Sequence, residues 1–320
     1  MKIHGFPRRV LKGLQQVPLP PNLLQAFLLP LMRPDMVAQT ANELSTKPKS
    51  RLVTRQHLAT RITHWIWAIC LFFLLLSGLQ IFNAHPGLYI GKEAGFTYSN
   101  DVLTIGSDKS GDTPKGITTI LGHSFDTTGV LGLSGTGDDV VEAAFPPALT
   151  IPSHQDLATG RIVHFFFAWI LVVTLLSWLA LSLRNRHLKK DILLKTADIK
   201  GLPADVVDHV RLRFHHGTRY TPLQKIAYAG VLFVLFPLII LTGFCMSPGI
   251  DSVLPWLLDI FGGRQSARTI HFVTMTLLVL FFVIHMVMIV AAGPINELRS
   301  IITGRYRIQV PAQGSNAHEK

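Results

Sequence analysis

Two histidines, His271 and His285, stand fourteen positions apart in a stretch that carries no formal charge from Thr269 to Ala292. If that stretch is helical, fourteen steps of ~100° return to within about 40° of the starting direction, ~21 Å along the axis. An imidazole in lipid is costly and turns inward toward a partner. Neutral imidazole is also a common metal ligand. Two such rings on one stripe, one near each membrane surface, point to two metal centres held one above the other.

The elements that would position them are visible as four runs free of Asp, Glu, Lys and Arg: Ile62–Phe82, Ile162–Leu183, Ile226–Ile250 and Thr269–Ala292. Each exceeds the ~18 residues that mark a transmembrane helix. The chain is 48% hydrophobic over 320 residues, with a mean hydropathy of +0.37, which is high for a soluble domain. The expected fold is therefore an all-α membrane protein, a four-helix bundle with helices at about 55–83, 160–184, 223–248 and 266–293.

Net charge is +11, which raises nucleic acid as a partner, but the placement of charge decides against it. Residues 1–61 hold ten Lys/Arg and two acids, residues 184–225 ten and four, and residues 83–160 three and nine. Basic charge alternates with the spans as the positive-inside rule requires, so both termini and the 185–222 loop are expected in the cytoplasm and the 84–159 loop outside. The partner solvent is the lipid bilayer of a bacterial inner membrane, and no nucleic-acid binding is expected. Cys70 and Cys245 both lie within spans, and no C-x-x-C-H is present for covalent haem attachment. Residues 1–50 read as a poorly ordered or interfacial extension, and 311–320 as a polar tail. The 84–159 loop is rich in Gly, Asp, Ser and Thr, with short strands expected at Phe96–Tyr98 and Val102–Ile105. A loop of that length fits the docking of a partner.

With this orientation the histidine depths pair. His64 enters the first span from the cytoplasmic side, level with His285, and His164 enters the second from outside, level with His271. Facing imidazoles at one depth inside a bundle are a natural axial pair for a six-coordinate haem iron. Each histidine alone also reads as a hydrogen-bonded packing residue; four at two matched depths favour coordination. His57 is a weaker rival for His64. Arg61, Arg161 and Arg268 each precede a histidine by three residues, one turn away on the same face. They are candidates to pair with haem propionates at the headgroup level, although a snorkelling arginine at a helix end has the same signature.

The residues Arg61–Trp65 (RITHW), Ser77–Gly91 (SGLQIFNAHPGLYIG), Tyr220–Lys225 (YTPLQK), Leu241–Gly249 (LTGFCMSPG), Gly263–Phe272 (GRQSARTIHF), His285 and Asn296–Tyr306 (NELRSIITGRY) carry a resemblance covering about residues 51–310. The chain resembles the integral-membrane dihaem cytochrome b family of formate dehydrogenase gamma subunits and nickel-iron hydrogenase b-type cytochromes. It looks closest to the thiosulfate reductase cytochrome b branch. The resemblance implies two b haems with ligands on the first, second and fourth helices. It also implies a quinone site near the cytoplasmic haem and a periplasmic catalytic partner, of molybdopterin type by analogy. It makes Tyr220, Thr221, Gln224 and Lys225 candidate quinone contacts, with Thr221 standing where the family often has Asn. The same stretch reads equally as a helix N-terminus with Thr221 as N-cap and Pro222 at N1. The expected role is electron transfer within an oxidoreductase complex, with substrate chemistry in the partner. The alternatives are a haem-free transporter or assembly scaffold, and a stand-alone reductase of the b561 kind.

Overall fold

The computed structural model describes residues 49–95, 98–185, 195–211 and 220–310, with Leu188, Leu193 and Arg213. Residues 53–306 form one compact unit. The described residues 49–52 and 307–310 belong to a second. Strands β1 (Lys49–Thr54) and β6 (Arg305–Val310) pair. The 1–50 extension, but for its last two residues, and the 311–320 tail lie outside the described residues.

Among the described residues, four helices are long and apolar enough to cross a membrane: α1 (Leu58–Asn83), α2 (Leu157–Arg184), α4 (Pro222–Met246) and α5 (Arg264–Ala292). At ~1.5 Å per residue all exceed the ~30 Å hydrocarbon core. Large apolar side chains remain exposed along them, among them Ile69, Phe72, Phe166, Trp169, Val283 and Val287. Such faces would aggregate in water and are at home in lipid. The inward faces bury small and polar groups instead: Ser77, Gln80, Thr242 and Thr274 are almost fully enclosed. Cys70 and Cys245 are buried with them and are free thiols.

Local sequence explains the helix ends. Asp156 caps α2, its carboxylate accepting from the Thr159 N–H at 3.0 Å. Thr221 caps α4 through a reciprocal capping box with Gln224, and Pro222 occupies the first turn. Within α4, Pro237 has no N–H for the carbonyl four residues back, and the helix relaxes into a π-helical turn at Val231–Leu235. Gly293, at φ +104°, ends α5. The amphipathic α6 (Pro294–Thr303) follows. A shorter helix, α3 (Thr196–Val210), lies between α2 and α4 in the sequence.

The segment between α1 and α2 is more ordered than the expected loop with two short strands. It holds a four-stranded antiparallel sheet, β2 (Gly87–Tyr89), β3 (Asp101–Asp108), β4 (Lys115–Ile120) and β5 (His123–Asp126), in that spatial order. Val102–Ile105 falls within β3, whereas Phe96 and Thr97 lie outside the described residues. The all-α expectation thus applies to the spans and not to this segment. Leu88 and Ile105 of the sheet pack with Phe82 of α1 and Phe272 of α5. The sheet is tied down by backbone bonds from Gln265 and Ser266 to the Gly91 carbonyl, and by Thr269 Oγ1 donating to Tyr89 O at 2.7 Å.

Candidate haem sites

The bundle is built from two close helical hairpins, α1 with α2 and α4 with α5. The sheet-bearing end collects the C-termini of α1 and α4 and the N-termini of α2 and α5. His164 is the eighth residue of α2 and His271 the eighth of α5, so both stand one to two turns inside that end. His64 is the seventh residue of α1, and His285 lies seven before the end of α5, at the opposite end.

The rings meet in the expected pairs. The His164 and His271 ring centroids are 6.4 Å apart, at 56° between planes. Those of His64 and His285 are also 6.4 Å apart, at 52°. A metal–nitrogen bond of ~2.0–2.1 Å, with about 1.1 Å from nitrogen to ring centre, would separate two trans imidazoles by roughly 6.2–6.4 Å. Both pairs therefore have the spacing of axial ligands on one iron. Two protein ligands are too few for a bare ion, and no group of three or more His, Cys, Asp or Glu with metal-binding geometry occurs among the described residues. A macrocycle that supplies the other four donors suits such a site.

Hydrogen bonding distinguishes the two ring nitrogens of each histidine at the sheet-bearing end. Ser77 Oγ lies 3.1 Å from His164 Nδ1, and Thr242 Oγ1 lies 3.1 Å from His271 Nδ1. With each Nδ1 engaged, each Nε2 is left as the nitrogen that could bind a metal. At the opposite end, the buried His64 Nδ1 has no hydrogen-bond partner, and the His285 ring stacks on Phe281 at 5.7 Å. An unpartnered buried nitrogen is costly in a protein alone and fits a site completed by a bound group.

The three arginines differ. Arg61 donates to the Ile302 carbonyl of α6, while its Nε is buried without a partner. Arg268 donates to the His85 carbonyl at the foot of the sheet and covers the Phe82 ring at 5.6 Å. Arg161 is exposed, with its guanidinium 5.7 Å from the Phe165 ring. All three lie one turn from a paired histidine, on the side nearer the helix end.

The four proposed quinone contacts are brought together, and each has a structural engagement. Thr221 and Gln224 form the α4 capping box. The Lys225 ammonium is buried and donates to both Asp198 oxygens at 2.9 Å, holding that carboxyl below the usual carboxylate range. Tyr220 Oη meets the Gln56 side chain at 2.9 Å. Thr221 and Pro222 also open the helix, as its N-cap and first-turn proline.

Several residues that matter here went unassigned from sequence. Arg55 makes an ion pair with Glu297 at 3.2 Å and lies 4.4 Å over the Tyr306 ring. Ser77 and Thr242 were legible only as Ser-Gly and Thr-Gly dipeptides inside apolar runs. Serine and threonine in such helices usually bond their own backbone, so their types alone do not reveal the second contact.

Residues 55–304 match the prokaryotic cytochrome b561 family. The chain is similar to a protein of Azospira oryzae named putative protein-methionine-sulfoxide reductase subunit YedZ1. Identity is 25% over 235 residues, covering 72% of this chain and 86% of that relative. No solved structure matches. The chain belongs to the prokaryotic cytochrome b561 family, as a multi-pass membrane protein of the b-haem, electron-transfer kind.

Proposed function

We propose that the protein is a dihaem electron carrier of the bacterial inner membrane. One b haem is held by His164 and His271 near the periplasmic face, the other by His64 and His285 near the cytoplasmic face. The observation that carries this reading is the shared 6.4 Å centroid separation of the two pairs. The haem supplies one-electron chemistry. The protein's part is to orient the four imidazoles, to exclude water with the apolar bundle, and to place Arg61, Arg161 and Arg268 where propionates would emerge. The charge alternation along the chain supports the orientation, with both termini cytoplasmic.

The periplasmic haem serves an external catalytic oxidoreductase docked on the acidic, sheet-bearing segment. That relative's name, a reductase subunit, supports a partnered role. A molybdopterin enzyme is the partner type that the formate dehydrogenase resemblance favours. Quinone exchanges electrons at the cytoplasmic end. Tyr220 and Lys225 reach it by exchanging their bonds to Gln56 and Asp198, while Thr221 and Gln224 shape the helix end beside it.

Haem per polypeptide, measured by pyridine haemochrome on the detergent-purified protein, tests the reading. Two b haems in the wild type and one in His164→Ala or His285→Ala are expected. Protein made with ample haem supply that carries none would overturn it.

A further inference from the structure

The two ligands at the sheet-bearing end are seated in the same way by different helices. His164 of α2 rests on Ser77-Gly78 of α1, and His271 of α5 rests on Thr242-Gly243 of α4. In each case the hydroxyl contacts Nδ1 at 3.1 Å. In each case the adjacent glycine faces the ring edge: a Cβ at Gly78 would stand 3.3 Å from His164 Cε1, and one at Gly243 3.5 Å from His271 Cε1. The hydroxyl proton is committed elsewhere. Ser77 donates to Phe73 O at 2.5 Å, and Thr242 donates to Leu238 O at 2.7 Å. Each hydroxyl oxygen must therefore accept from an Nδ1–H, which fixes the tautomer with a bare Nε2.

We propose that Ser77-Gly78 and Thr242-Gly243 are matched seats, with Ser77 and Thr242 as positioning residues that set the ring planes and donor strength of His164 and His271. The proposal rests on the reading of these histidines as axial ligands. A hydrogen-bonded Nδ1–H makes the imidazole a stronger donor, and a stronger donor favours ferric iron. The seats therefore hold the potential of this haem down. The His64–His285 pair has no such arrangement at His64, whose Nδ1 is unpartnered, and it serves as the control within the same chain.

Redox potentiometry and low-spin ferric EPR on the purified holoprotein test this. In Ser77→Ala and Thr242→Val the midpoint of one haem is expected to rise and its EPR signal to shift, because the Nδ1–H loses its hydroxyl acceptor and the ring is free to turn. The second haem should be unchanged, and Ser77→Thr should restore the wild-type values. Gly78→Ala should lower occupancy of the same haem more than Gly243→Ala, because its Cβ sits closer to the ring. A retained second haem shows that each variant has folded. Two haems per chain with neither midpoint nor spectrum altered in Ser77→Ala and Thr242→Val would overturn the proposal. Loss of the axial-ligand reading would show differently, as full haem content in His164→Ala.

Discussion

At the residue scale, the site depends on pairs. A single imidazole in a bundle is a packing residue; two with centroids 6.4 Å apart can share one metal. The energetic consequence is strong coupling between partners. Removing His164 or His271 should each cost the same haem, and the double variant His164→Ala/His271→Ala should lose no more than either single. His164→Ala/His285→Ala, which breaks both pairs, should lose both haems. Haem per chain across this set, in the manner of a double-mutant cycle, checks the pairing. Additive loss within one pair would contradict it.

At the element scale, the sheet is fastened to the bundle through a close backbone approach. Gly263, at φ +107°, precedes α5, and a Cβ there would lie 2.7 Å from the Gly91 carbonyl oxygen and 2.8 Å from Lys92 Cα. Gly263→Ala meets both left-handed strain and a clash, at a cost of about 1–3 kcal/mol for the backbone alone. It should lower the melting temperature and loosen the sheet, read as faster proteolysis within 84–156. Unchanged melting and proteolysis would show that the approach is not needed. The Lys225–Asp198 tie between α4 and α3 gives a second test. Asp198 has its carboxyl depressed in the folded protein by the Lys225 ammonium. Its stabilising effect is therefore complete above the unfolded carboxylate pKa of ~3.9 and lost as pH falls through the lower folded value. Wild type should melt above Asp198→Asn from neutral pH down to about pH 5, and the gap should close in more acid solution. The spans and the histidine levels were legible because lipid demands long uncharged runs and makes an intramembrane histidine stand out. Of the sheet, only the Val102–Ile105 part of β3 was legible; β5 is exposed throughout and gives no two-residue alternation to read. The fates of Tyr220 and Lys225 were also hidden, since Gln56 and Asp198, which engage them, are far away in sequence.

At the scale of the whole molecule, the apolar outer faces, the enclosed polar interior and the two histidine levels have one joint use. Fourteen residues of α5 separate His271 from His285, ~21 Å along the helix, most of the way across the hydrocarbon core. The charge alternation further predicts that reporters fused to the N- and C-termini are both active on the cytoplasmic side, and a periplasmic C-terminal reporter would contradict that orientation. In the proposed function, electrons cross the bilayer through both levels. The most direct test is electron flow in sealed liposomes containing the purified holoprotein, with dithionite entrapped inside and ferricyanide outside. Ferricyanide reduction by wild-type vesicles is expected, with its loss in both His164→Ala and His285→Ala. Sustained reduction in either variant, or none in wild type carrying its haem, would contradict it.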